Sequence, residues 1–287
     1  MTRDTRHIDR RALFTSATAA ALLAASGVSA GLPKRGGRLR MALSGAARSD
    51  SWTAGEGLFM QVARQGMVFD TLTEVAADGT LRAELAVNWR SSADAQHWVF
   101  DLRQAVMFHD GTMLGAKDVV RSLQPHFGDQ AVIRAQGRHA VQIFLAQPDA
   151  GLPLLLAQPD HVIRPAHAPE AGIGTGLYQV KRFVAGQHLL TKRVASHYKD
   201  GSAGWFDEVE VTSIPSETVR GQALGEYLVD AADLHDASSL ADFADIALLP
   251  NSRLPTQAVS TDLAQPAQIS QLRPLDNLRA AERWWFA

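Results

Sequence analysis

Trp98 to Leu123 reads WVFDLRQAVMFHDGTMLGAKDVVRSL. Trp98, Phe100 and Leu102 alternate with Val99, Asp101 and Arg103, the period-2 pattern of a strand with one buried face. Phe108 to Gly111 (FHDG) follows, where Asp-Gly supplies a tight turn. Val119, Val120 and Leu123 then recur at helical spacing behind Lys117 and Asp118, which predicts an amphipathic helix. Pro125 predicts its end after Leu123. Strand, turn and helix in this order indicate an α/β fold.

The same reading extends in both directions. Towards the amino terminus, Leu39, Met41 and Leu43 alternate with Arg38, Arg40 and Ala42 in a first strand, and Ser44 to Gly57 is a polar loop. Leu58 to Asp70 suits a helix, and Asp78-Gly79 marks a hairpin turn. Towards the carboxyl terminus, Val141, Ile143 and Leu145 alternate in a strand. Leu152 to Ala157 reads as a brief helix with Pro153 in its first turn. Pro148, Pro159, Pro165 and Pro169 punctuate this region and predict loops. Tyr178, Val180 and Arg182 begin a strand that turns at Ala185-Gly186-Gln187 into Leu189, Thr191 and Arg193. Phe206 to Thr212 alternates as a strand, Ser216 caps a helix running to Tyr227, and a short strand lies within Gly225 to Leu234. A β–α–β run of this kind suits a sheet with helices packed on it.

Several of these stretches resemble one known family. The pattern W.F.LR..V.FHDG..L.A.DVV.S over Trp98–Ser122 looks like the signature of the periplasmic peptide/nickel (dipeptide- and oligopeptide-binding) solute-binding proteins that feed ABC importers. FDTLTEVAADGTLRAELAVNW resembles the family's "L.E…DG.L.P.LA..W", with Ala83 in the place of a common Pro. Gly174, Thr175, Gly176 and Tyr178 match its "GTGPY", with Leu177 in the place of Pro. His197 to Gly201 and Gly225 to Leu234 fall on two further family positions. The resemblance covers roughly residues 36 to 235. It implies a type II periplasmic-binding-protein first lobe, a mixed α/β sheet with flanking helices, without a counterpart of the second lobe. It also implies that the loop carrying Ser44, Asp50 and Trp52 borders the ligand cleft, together with Gly174, Thr175, Gly176 and Tyr178. Trp52 has two readings: an indole stacked on a ligand, or one folded back onto the core.

Composition narrows the function. Hydrophobic residues make up 46% and charged residues 20% of the 287, ordinary for a globular chain. The net charge is −2, with Lys and Arg scattered, which argues against nucleic acid as a partner. The absence of cysteine excludes disulfides, thiolate nucleophiles and Cys-ligated metals. The His spacings match no metal motif, so neither a metal nor any other cofactor is expected. The segment around Gly174 is followed by no GK[ST], which argues against a phosphate loop. No G-x-S-x-G elbow is present, and a non-enzymatic role is expected.

Residues 1–30 read as an export signal. Arg10-Arg11 before Ala12-Leu13-Phe14 resembles a twin-arginine motif, and Val28-Ser29-Ala30 offers a cleavage site. The Ala-rich run is short and weakly hydrophobic for a spanning helix, so no membrane span is expected in the mature chain. Three segments result: the signal at 1–30, the lobe at 31–250, and a Pro/Gln-rich tail at 251–287. Arg283, Trp284, Trp285 and Phe286 close the tail. They either dock back on the lobe or anchor a partner protein, because Trp and Arg dominate binding hot spots. The leading expectation is a periplasmic component that binds a small peptide or other solute for an ABC permease. The alternative is an accessory subunit of another exported complex.

Overall fold

The structure is a computed structural model describing residues 36–75, 80–201, 203–240, 242–243, 246–249 and 256–260. The export signal at 1–30, the Asp78-Gly79 turn, and Arg283, Trp284, Trp285 and Phe286 lie outside the described residues.

A seven-stranded sheet carries the order β12-β13-β11-β1-β10-β9-β8. Its strands are β1 (Arg38–Leu43), β8 (Tyr178–Val184), β9 (His188–Arg193), β10 (Glu208–Ser213), β11 (Ala231–Leu234), β12 (Ile246–Leu249) and β13 (Thr256–Ser260). Only the central three are parallel: β1 lies between β10 and β11, with Met41 opposite both Val211 and Ala231. Helix α4 (Glu217–Gly225) connects β10 to β11, and near its amino terminus Val219 N–H donates to Ser216 Oγ. Both faces of β1 are therefore covered. Leu39, Met41 and Leu43 enter a first core, whereas Ala42 enters a separate one with Ala223, Leu224 and Leu234 beneath α4. A strand covered on two faces loses the polar half of its alternation, which is why Ala42 is buried. The sheet also continues past residue 250, where the sequence places the end of the lobe, because β13 pairs with β11 and β12.

A second, antiparallel sheet has the order β4-β5-β7-β6, built from β4 (Ala86–Ser91), β5 (His97–Leu102), β6 (Ala131–Ala135) and β7 (Ala140–Leu145). Trp98, Phe100 and Leu102 face a core with Ile133, Val141 and Ile143, closed by Val119 and Leu123 of α2 (Ala116–Phe127). The carboxylate of Asp118 accepts from Gly115 N–H at 2.9 Å and fixes the start of α2. Short β2 (Thr73–Val75) and β3 (Leu81–Ala83) pair as an antiparallel two-stranded sheet. Helix α3 (Leu152–Leu155) holds Pro153 in its first turn, as expected.

Two expectations are corrected. Pro125 does not end α2, which runs to Phe127 and closes at Gly128, φ +51°. Proline costs a helix one backbone hydrogen bond, and here the loss falls in the last turn. There the Gln124 side chain binds the backbone of Gly128, Ala131 and Ile133 and ties the helix end to β6. Helix α1 (Leu58–Arg64) stops six residues before the predicted Asp70. Gly66, φ +87°, turns the chain, and Met67, Val68 and Phe69 continue into the first core as irregular backbone.

Candidate functional site

Two places gather the residues singled out in the sequence. The first is the segment that crosses from the second core to the first. Ile173 packs on the former, and Leu177 and Tyr178 lie in the latter. Between them Gly176 N–H donates to Val68 C=O, and Tyr178 N–H donates to Met67 C=O, both at 3.0 Å. A Cβ at Gly174 would sit inside the Val68 carbonyl, and one at Gly176 inside the Met67 carbonyl. The glycines are there for close approach of two backbones. The FHDG turn locks onto the same segment. His109 N–H donates to Gly174 C=O at 2.9 Å, and His109 Nε2 donates to Gly176 C=O at 2.8 Å. Gly174 N–H in turn donates to His109 Nδ1 at 3.3 Å. Both ring nitrogens are thus occupied, and burial lowers the His109 pKa.

Thr175 is buried, its hydroxyl donating to Asp70 at 2.9 Å and its carbonyl accepting from His197 Nε2 at 2.9 Å. Asp70 opens a buried charge cluster. Lys199 Nζ stands 2.6 Å from Glu84, 3.1 Å from Glu74 and 3.9 Å from Asp70, while Thr71 donates its N–H and hydroxyl to Glu84. Burial pushes the Asp70 carboxyl up, but His197, Lys199 and Thr175 outweigh it and hold the group below the ordinary carboxylate range. Tyr178, fully buried, donates its hydroxyl to Phe206 C=O at 3.1 Å.

The second place is the carboxyl-terminal edge of the parallel strands. Ser44 directly follows β1 and donates its N–H (2.8 Å) and hydroxyl (2.6 Å) to the two oxygens of Asp233 on β11. Asp233 is fully buried and paired with Arg220 of α4, Nε to Oδ1 at 3.3 Å. Arg220 also donates to the carbonyls of Asp233, Ile214 and Pro215, so it staples the exits of β10 and β11 together. Glu217, one turn before it, accepts from the backbone N–H groups of His235 and Asp236. Beside this network a groove of about 540 Å³ runs along α4, floored by Leu234, Leu240 and Phe243 and rimmed by Glu217, Glu226 and Asp236. Strand ends at the point where a parallel sheet's connections diverge are where open α/β sheets bind ligands.

Asp50 and Trp52 lie elsewhere in the Ser44–Gly57 loop. Asp50 is buried and accepts from Ala47 N–H at 2.8 Å. Trp52 is 6% exposed, its indole against Phe183 at 4.6 Å and Phe69 at 5.8 Å. Of its two readings, the structure shows the indole folded onto the core. The loop closes at its base because Gly57 lies against Gly45 C=O where no Cβ fits, and Phe59 N–H donates to Ser44 C=O. His167 pairs with Asp110 at 2.8 Å. Sequence reading missed Arg220 and Asp233. The available signal was an acid in the otherwise apolar run Ala231-Ala232-Asp233-Leu234, since a charge inside a short buried strand needs a partner.

Residues 80–261 match the family model described as "Bacterial extracellular solute-binding proteins, family 5 Middle". The chain belongs to that family. Among solved structures it is similar to the periplasmic binding protein AgaA from A. tumefaciens in complex with agropinic acid, at 26% identity and TM-score 0.68 over 75% of this chain and 48% of AgaA. It shares a fold with DppA of Helicobacter pylori in complex with the peptide STSA (19% identity, TM-score 0.66, 75% and 51% covered). These neighbours make the fold a mixed α/β lobe of the type II periplasmic-binding-protein kind. Among curated proteins it is similar to the HTH-type transcriptional regulator SgrR of Photorhabdus laumondii, 31% identical over 52% of this chain and 28% of that protein. A similar match, 33% identical over 55% and 30%, is to SgrR of Pectobacterium atrosepticum. The chain thus spans about half the length of the solved relatives and less than a third of the curated ones. Among the described residues no helix is long and apolar enough to cross a membrane.

Proposed function

We propose that this chain is the ligand-receiving lobe of a periplasmic solute-binding component of a peptide/nickel-type ABC import system, exported by the twin-arginine signal at 1–30. The observation that carries the reading is the parallel triplet β11-β1-β10, whose carboxyl ends open beside the α4 groove. Ser44 is the residue singled out in the sequence that stands at this edge. Asp50 and Trp52 shape the loop leading away from it, and Gly174, Thr175, Gly176 and Tyr178 hold the two cores in register behind it. The solute is a short peptide or a molecule of similar size, passed on to a permease. Catalysis has no part in this role.

Native purification from the periplasmic fraction, followed by mass spectrometry of both small molecules and copurifying proteins, tests this. A stoichiometric small solute is the expected result; a solute-free chain held by another exported protein would replace it with the accessory role. Replacing Arg10 and Arg11 together by Lys should leave the precursor in the cytoplasm. A precursor that still reaches the periplasm would argue for a different export route.

A further inference from the structure

A second pocket, of about 320 Å³, lies under the Ser44–Gly57 loop and is lined by Trp52 to Glu56, Arg64, His126, Asp160, Val162 and Arg164. Two guanidiniums meet there. The Arg64 side chain is 6% exposed, yet its one ion-pair partner among the described residues, Asp160, is 3.4 Å away and itself 63% exposed. Its other bonds run to Gly55 C=O, and Arg164 donates to Trp52 C=O at 3.3 Å. Nε of Arg64 and Nε of Arg164 are both buried and, among the described residues, without a hydrogen-bond partner. Burial lowers the pKa of each arginine and of His126; Arg64 depresses Arg164 further and Arg164 depresses His126, against the pull of Asp160, Asp50 and Glu170. Two guanidiniums therefore share this place, each with a buried Nε donor unmet among the described residues. A buried donor left unpaired costs free energy, and a guanidinium fork fits the two oxygens of a carboxylate.

The acids lining the pocket, Asp160 and Glu56, are both exposed, where water screens them, while the buried Asp50 also acts on Arg64 and Glu170 on Arg164. Together these four acids leave room for a singly charged group and weigh against a dianion such as phosphate.

We propose that the pocket between Arg64 and Arg164 binds the carboxylate of a small organic acid. The inference rests on the solute-binding reading only for the source of that acid, and it places the acid in a pocket that shares no lining residue with the α4 groove.

The test uses the full purified chain, with the Nε–H resonances of its arginines followed by NMR as sodium acetate is added against sodium chloride at equal ionic strength, with inorganic phosphate in a parallel arm. Two Nε–H resonances should shift and saturate with acetate, and Arg164→Gln should weaken the response about tenfold or more, the scale of one lost charge-assisted pair. Arg64→Lys is the second variant, keeping the charge while removing the fork, and should weaken it as well. The proposal is overturned by a non-saturating acetate response, by an equal response to chloride, by tighter saturation with phosphate, or by full acetate binding in both variants. A flat titration would leave the solute-binding assignment of the lobe standing. A failed search for a periplasmic solute would leave the acetate result standing.

Discussion

Lys199 and Arg220 are both buried cations held by carboxylates, and they stand at two different kinds of place. Lys199 faces Glu84, Glu74 and Asp70 where the crossing segment joins the two cores. Arg220 faces Asp233 at the open edge of the parallel strands, beside a groove. Around Lys199 the donors and acceptors are absorbed by neighbouring backbone and side chains, and substitutions there should report on stability. Around Arg220 the network reaches Ser44 and the groove rim, so some substitutions should leave stability nearly untouched and change what the lobe holds. Buried charge alone does not locate a binding site; the space beside it does.

The largest effect is expected at the closed end. Gly174→Ala places a methyl group inside the Val68 carbonyl, and that backbone contact also carries the hydrogen bonds that dock FHDG. The loss should exceed about 4 kcal/mol, the range of severe backbone and core lesions, read as a collapse of the denaturant midpoint. A change below about 1 kcal/mol would show that the two segments part easily, and the contrast with the open edge would be lost.

Lys199→Met comes next. Removing one partner of a buried pair costs about 3 to 5 kcal/mol because the remaining charge is uncompensated. The pH dependence has a definite sign. The Asp70 carboxyl is depressed in the folded state, so its contribution is present above the ordinary aspartate value of about 3.9 and is lost as pH falls towards the folded value. Wild-type stability should therefore decline below about pH 4, and Lys199→Met should flatten that decline. Equilibrium urea unfolding across acidic pH checks both, and parallel curves for the two proteins would count against the linkage.

Much of this was legible in the sequence where chemistry is local. The alternation of Trp98, Phe100 and Leu102 gave β5, the Asp-Gly turn and the apolar spacing of Val119 and Leu123 gave the entry to α2, and Ser216 capped α4 as expected. What was hidden is non-local. That His109 grips Gly174 and Gly176 depends on segments about 65 residues apart, and the Ser44–Asp233 bond joins positions 189 apart. Strand β6 was missed because Ala131 and Ile133 are its only buried positions, too few to form a period. Leu58 to Asp70 read as one helix because Met67, Val68 and Phe69 are apolar, and burial of an irregular segment leaves the same mark as burial of a helical face. At the candidate site, Ser44 was found through its loop, whereas Arg220 was missed, because the carbonyls of Asp233 and Ile214 that it binds come together only in the fold.

Ser44→Ala is the milder probe of the open edge. It removes the 2.6 Å bond to Asp233 but leaves the Ser44 N–H and Arg220 in place. The stability cost should be about 1.5 to 3 kcal/mol, that of one hydrogen bond to a charged group, below that of Lys199→Met. If the cost matches the Lys199 variant instead, the edge is as closed as the crossing.

The smallest stability effect, and the one that separates the two regions most sharply, is expected from Thr218→Trp. Thr218 is exposed on α4 and lines the groove. A surface helix substitution of this kind moves stability by about 0.5 kcal/mol or less, while an indole is large enough to fill much of the groove floor beside Leu240. The variant should melt with the wild type yet emerge from periplasmic purification without the solute that native mass spectrometry finds on the parent. Retention of the solute at full occupancy would move the binding surface away from α4. The carboxyl ends of β1, β10 and β11 would then hold the ligand on the Ser44 side, with Asp233 still orienting the serine from behind. A matched pair, Thr218→Trp and Thr218→Ser, keeps that outcome distinct from a general disturbance of the helix, because the serine variant preserves the hydroxyl and leaves the groove open.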